Sequence, residues 1–121
     1  MDSNEIIGKI IRERRVEKGI GLRQMAKDLN TAPSFISDIE RGIKRCSDEL
    51  LSNIAKYLDL DEGELFKLGD RLPKGLLEEY RNNDKVKEIL SQIAGRLEDE
   101  DIDHILEVIY KIKENRRTGH M

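Results

Sequence analysis

Cysteine, tryptophan and histidine are scarce in this 121-residue chain, which has one Cys, no Trp and two His. A lone Cys46 cannot form an internal disulfide, and without a CxxC pair or clustered His it indicates neither metal binding nor redox chemistry. No Ser/His/Asp, Cys/His or phosphate-loop arrangement is present either. We therefore expect no enzymatic activity, no metal and no cofactor.

Long apolar runs are also missing. No stretch approaches the roughly 20 residues that span a bilayer, and the first residues, MDSNEIIGKIIRERR, lack the order of a secretory signal. The sequence therefore predicts a cytoplasmic protein without membrane contact. Aromatic residues make up only 4% of the chain, so its core must be built mainly from Ile and Leu.

Charge is divided unevenly along the chain. Residues 1–45 hold 10 Lys/Arg against 7 Asp/Glu, a net +3, whereas residues 46–121 hold 12 against 18, a net −6. The overall charge of −3 thus hides a basic front and an acidic back. This division suits a molecule that touches phosphate with one end only.

Apolar spacing predicts five helices within residues 1–70, because Ile, Leu and Met recur at intervals of three and four. The first runs to about Lys18, and Gly19 ends it. The predicted helices that follow cover residues 22–29 and 33–41, then begin at the caps Ser47 and Asp61. The whole chain is predicted to be all-α.

A Gly- and Pro-containing segment, LGDRLPKG, separates these helices from a second helical region at residues 74–117. Apolar stripes there predict two amphipathic helices joined by the acidic residues 98–101, which together form a helical hairpin. The stripes consist of Val86, Ile89, Leu90, Ile93 and Leu97, then Ile102, Ile105, Leu106, Ile109 and Ile112. The hairpin could fold back on residues 1–70 or pair with a second copy.

The third predicted helix has two unlike sides. Ile36 and Ile39 form an apolar back, while small and charged side chains occupy the front. Such a helix fits the major groove of DNA, which is about 12 Å wide and admits one helix held by phosphate contacts on both sides. The alternative interpretation of the same pattern is an ordinary surface helix whose polar side faces solvent.

The run GIGLRQMAKDLNTAPSFISDIERG resembles the Xre/Cro/CI-type helix-turn-helix regulators, and the likeness extends over residues 7–68. It implies a five-helix, lambda-repressor-like DNA-binding domain at residues 1–70. It also implies an ion pair between Arg15 and Glu40 that holds the third helix in place. The residues that it places toward base edges are Pro33, Ser34, Ser37 and Asp38, and those that it places toward phosphates are Arg23, Arg41, Lys44 and Arg45.

Three departures from the family pattern weaken the expected contacts. Leu22 replaces a glutamine that often binds phosphate, and Gly21 and Ala32 stand where Ser or Thr would cap the second and third helices. Neither Ser34 nor Asp38 is a residue type suited to bidentate base recognition. We expect modest, salt-sensitive affinity that requires two half-sites.

These observations predict that the protein is a sequence-specific transcriptional regulator that binds double-stranded DNA. We favour a homodimeric repressor that binds a near-palindromic operator and dimerises through the C-terminal helices, because one such module contacts few phosphates. The alternative is an antitoxin or adaptor whose C-terminal helices bind a partner protein.

Overall fold

The structure, a computed structural model, describes residues 1–119, and helices are the only regular elements among them. This confirms the predicted all-α class. The chain divides into two compact units, one from Met1 to Leu76 and the other from Leu77 onward. The first contains α1 (Ser3–Glu17), α2 (Leu22–Asp28), α3 (Pro33–Glu40), α4 (Asp48–Tyr57) and α5 (Glu62–Leu68). After them come α6 (Leu76–Asn82), α7 (Asp84–Ile93) and α8 (Asp99–Arg117).

Short polar side chains set where several helices begin. Ser47 Oγ accepts a hydrogen bond from the Leu50 amide at 3.1 Å, and Asp61 Oδ1 accepts one from the Glu64 amide at 2.8 Å. Each bond satisfies an amide that the first helical turn leaves without a backbone partner. Residues with positive φ follow the ends of the first three helices: Gly19, Asn30 and Gly42.

The core of the first unit is aliphatic, as the composition predicts. Thirteen hydrophobic residues are buried there, drawn from all five helices, the α3–α4 loop and the residue that follows α4. They are Ile7, Ile11, Met25, Ala26, Ile36, Ile39, Cys46, Leu51, Ile54, Ala55, Leu58, Leu65 and Phe66. Burial of an Ile, Leu or Phe side chain contributes about 1.5–3 kcal/mol, so this cluster is the main stabilising feature of the unit.

The end of α3 packs unusually close to α1. At Gly8 in α1, an added Cβ would lie 2.4 Å from the carbonyl oxygen of Ile39 and 2.6 Å from that of Glu40. At Gly42, whose φ is +74°, it would lie 2.6 Å from Glu5 Cγ. Two glycines therefore let the backbones meet and fix the position of α3.

The C-terminal helices differ from the first five in having no buried residue within the described part of the chain. The apolar stripe predicts a helix that reaches Leu97, but α7 ends at Ile93. Ala94 is extended and Gly95 has a φ of +67°, so Leu97 lies outside the helix. Glu98 and Asp101 form a capping box at the start of α8. The acidic residues 99–101 thus belong to a helix start, where the helix dipole favours negative charge.

Among residues 1–119, no helix has both the length and the apolarity that crossing a bilayer requires.

Candidate nucleic-acid interface

Helix α3 has one side in the core and another in solvent. Pro33 occupies the first helical position, where its missing N–H is no loss and its fixed φ suits a helix. Ile36 and Ile39 are fully buried, three residues apart on one side. Pro33 and Ser34 are exposed, while Ser37 and Asp38 are half-buried. The open edge of α3 therefore consists of its first turn and continues toward Asp38.

Asp38 lies in a cluster with two of the predicted phosphate-binding cations. Arg41 Nη2 donates to Asp38 Oδ1 at 2.7 Å, and Lys44 Nζ lies 3.5 Å from Asp38 Oδ2. We call these three residues the Asp38 cluster. Both cationic side chains remain more than half exposed, at 61% for Arg41 and 57% for Lys44.

The other two predicted phosphate contacts lie outside that cluster. Arg23 is exposed on the first turn of α2. Arg45 Nη2 lies 3.8 Å from Asp48 Oδ1, at the start of α4, with both side chains exposed. The same Asp48 oxygen accepts a hydrogen bond at 3.0 Å from Arg71, whose side chain is buried. Arg71 thus ties the start of α4 to the segment after α5.

Arg15 and Glu40, for which the family resemblance implies an ion pair, form two parallel hydrogen bonds. Arg15 Nε donates to Glu40 Oε2 at 2.7 Å and Nη2 to Oε1 at 3.0 Å, while Nη1 donates to the Ile20 carbonyl at 3.0 Å. The side chains are only 13% and 4% exposed. The hydrogen bond to Glu40 raises the pKa of Arg15, so the guanidinium stays charged. The pair joins the end of α3 to α1 and to the α1–α2 turn.

The starts of α2 and α3 lack side-chain caps, as Gly21 and Ala32 predicted. Thr31 does not substitute as a cap for α3; its amide donates to the Ala26 carbonyl at 2.8 Å. In the first turn of α3, Pro33 has no N–H and the Phe35 amide donates to the Ala32 carbonyl at 3.0 Å, so within residues 1–119 the Ser34 N–H is the one left without a side-chain cap. A backbone N–H at this position can donate to a phosphate oxygen.

Sequence reasoning missed three residues that shape this surface. Phe35 lies beneath the Lys44 ammonium, which is 5.9 Å from the ring centroid, and so helps to hold that side chain near α3. Gly8 and Gly42 permit the close packing described above. A glycine inside the isoleucine stripe of the first helix was the available signal, since such a residue commonly marks close backbone approach.

Other reactive groups do not extend the site. Cys46 is buried directly before the Ser47 cap, and its burial raises the pKa of the thiol. Among residues 1–119, no group of three or more His, Cys, Asp or Glu side chains could hold a metal ion. What the surface offers is hydroxyl groups, a carboxylate and cations around one exposed helix edge, a combination suited to polar recognition of a polyanion.

Comparison with known proteins places this surface in context. A helix-turn-helix family model matches residues 11–65. The transcriptional regulator ClgR of Mycobacterium tuberculosis is 34% identical over 77 residues, which cover 58% of this chain and 69% of the relative. The ImmF control region 10 kDa protein of Bacillus phage phi105 is 38% identical over 55 residues, which cover 46% of this chain and 61% of that protein. The crystal structure of the clp gene regulator ClgR from C. glutamicum has a TM-score of 0.51 and 28% identity, covering 58% of this chain and 91% of that one.

Proposed function

This chain belongs to the Xre/Cro/CI-type helix-turn-helix family of DNA-binding transcriptional regulators, and we propose that it is a homodimeric repressor of a near-palindromic operator. One observation carries the proposal: α3 exposes its first turn while its back is buried and cations surround its end. Occupancy of DNA suffices for repression, because a bound dimer excludes other proteins from the same site. Such a regulator would work in the cytoplasm, in contact with DNA.

In the proposed complex, α3 enters the major groove with its exposed edge toward the bases. Hydroxyl groups of serine can donate to or accept from any base edge, and a carboxylate can accept from the cytosine amino group. The residues proposed to face bases are Pro33, Ser34, Ser37 and Asp38. Those proposed to contact phosphates are Arg23, Arg41, Lys44 and Arg45, and their exposure supports this role.

The C-terminal helices, residues 74–117, are the proposed dimerisation region. On α8 the side chains of Ile102, Leu106 and Ile109 share one side and remain 37%, 40% and 41% exposed. Partly exposed apolar side chains that follow one another along a helix about 28 Å long support the proposal of an interaction surface here. A two-fold pair of recognition helices would contact half-sites about 34 Å apart and double the phosphate contacts.

The Ile109→Glu variant tests this assignment. Placing a charge on the stripe should prevent association, since a buried unpaired carboxylate is strongly disfavoured. In sedimentation we expect a dimer for the parent and a monomer for the variant. Affinity for an operator selected in vitro by the parent should fall at least about tenfold, while affinity for a half-site should not change.

Lys111→Gln provides the matched control. It changes the net charge by the same −1, but it lies two residues further along α8, on the opposite side from the stripe. This control should remain a dimer with parental affinity. If Ile109→Glu stays dimeric and binds the operator as tightly as the parent, dimerisation through this stripe is wrong. A monomeric parent would instead support the adaptor alternative, in which α8 binds a different protein.

A further inference from the structure

In the protein without DNA, the Asp38 carboxylate is already paired with two cationic side chains. Each of its oxygens faces a cation, Arg41 at 2.7 Å and Lys44 at 3.5 Å. The Asp38 side chain is only 20% exposed, whereas the side chains of Arg41 and Lys44 are 61% and 57% exposed. The Asp38 carboxylate therefore pairs with the same two cations, Arg41 and Lys44, that a DNA phosphate would contact.

The backbone keeps this cluster together. The amides of Ile43 and Lys44 both donate to the main-chain carbonyl of Asp38, at 2.9 and 3.3 Å. Arg41 lies three residues after Asp38, which is one turn along the same helix side. Lys44 in addition lies over the Phe35 ring. The two cations are thus held beside Asp38 by the path of the chain and by their side-chain contacts.

We propose that Asp38 is an intramolecular competitor for DNA phosphate, which holds Arg41 and Lys44 until the correct duplex displaces it. The inference rests on the proposed DNA-binding role of α3. Arginine forms the same kind of charge-assisted hydrogen bonds with carboxylate and with phosphate. Both cations are largely exposed, so phosphate can reach them. Exposed ion pairs are weak, so the exchange is possible at physiological salt.

The exchange makes binding depend on the bases. When a DNA phosphate binds Arg41 and Lys44, the Asp38 carboxylate loses both cationic partners. An unpaired carboxylate next to a polyanion is unfavourable. A cytosine amino group in the major groove can donate to it and remove that penalty. A sequence without this donor leaves the penalty in place. Asp38 thereby links the phosphate contacts of Arg41 and Lys44 to the identity of one base pair.

The Asp38→Asn variant tests the proposal. It preserves the shape and an acceptor oxygen but removes the charge, so Arg41 and Lys44 become available to any phosphate. For a pool of random duplexes at low salt, we expect about tenfold tighter binding than the parent. The plot of log affinity against log salt should steepen by about 0.9 for each phosphate gained. Preference for the operator selected by the parent should fall.

Two controls separate competition from a general charge effect. Asp59→Asn removes the same charge and also breaks an ion pair, that between Lys18 Nζ and Asp59 Oδ2 at 2.5 Å, but Lys18 is not a proposed DNA contact. It should leave binding to the random pool near the parental value. In a background of Arg41→Gln and Lys44→Gln, the gain from Asp38→Asn should disappear, because the effect acts through those cations.

The outcomes are distinct from those of the proposed function. If Asp38→Asn binds the random pool no better than Asp59→Asn, with the same salt dependence, the competition is overturned even where the parent selects a palindromic operator. A gain that survives in the Arg41→Gln, Lys44→Gln background also overturns it. If the parent selects no palindrome and yet Asp38→Asn shows the cation-dependent gain, the competition stands and the dimeric-operator proposal fails.

Discussion

Replacing Gly8 with alanine is expected to lower the free energy of unfolding by about 3 kcal/mol, which is a large part of the stability of so small a unit. The new methyl group would lie 2.4 and 2.6 Å from the backbone oxygens of Ile39 and Glu40. Backbone atoms cannot rotate away as a side chain can, so α1 and α3 must separate. Thermal unfolding should show a decrease in Tm of roughly 15 °C.

A second glycine serves as control for this prediction. Gly63 also lies in a helix, α5, but a Cβ there would approach no nearer than 3.4 Å, to Asp61 Oδ1. Gly63→Ala should therefore leave the stability unchanged or raise it by up to about 1 kcal/mol through helix propensity. Equal Tm values for the Gly8→Ala variant and the parent would show that α1 and α3 do not meet as closely as described.

Removing the carboxylate of Glu40 is expected to destabilise the first unit by about 3 kcal/mol. In the Glu40→Ala variant, Arg15 keeps its charge but loses both hydrogen bonds to the carboxylate, while its side chain is only 13% exposed. An uncompensated charge in such surroundings is strongly unfavourable. The end of α3 also loses the side-chain hydrogen bonds that join it to Arg15 of α1. Denaturant unfolding followed by circular dichroism measures the loss.

Burial, rather than the ion pair as such, is the reason for this effect. The Lys9–Glu13 pair provides the comparison, because both side chains are 64% exposed and the nearest charged atoms are 3.9 Å apart. Glu13→Ala should change the stability by less than about 0.5 kcal/mol. Replacing Arg15 and Glu40 together with Met and Leu should cost less than Glu40→Ala alone. A loss at Glu40 as small as that at Glu13 would contradict this account.

The helical architecture could be predicted because the local signals agreed with the packing. Stripes of Ile and Leu, the caps Ser47 and Asp61, and the helix-ending Gly19 each specify one element by short-range physics. The resemblance to the Xre/Cro/CI-type regulators is likewise confirmed. Leu97 shows the limit of apolar periodicity as a guide. The spacing predicts a helix that extends through Leu97, but α7 ends earlier because Gly95 has a positive φ.

The detailed arrangement around α3 could not be predicted from local signals. The family resemblance places Asp38 toward bases and Arg41 and Lys44 toward phosphates, whereas the structure pairs the three with one another. Their pairing depends on the course of the loop after α3, whose amides turn back to the Asp38 carbonyl. That course in turn requires Gly42 to fit against Glu5, a contact between residues far apart in the sequence. Tertiary packing of this kind leaves no periodic trace.

Whether the exposed edge of α3 contacts DNA can be decided by titrating the 121-residue chain with duplex DNA and following the amide NMR shifts. We expect the largest shift changes within residues 34–45 and near Arg23, and we expect these changes to decrease as salt is added. Amides of α5 and α8 outside these regions should move little. Shifts that are largest in α5 or α8, with residues 34–45 unaffected, would contradict the assignment of α3 as the DNA-reading helix.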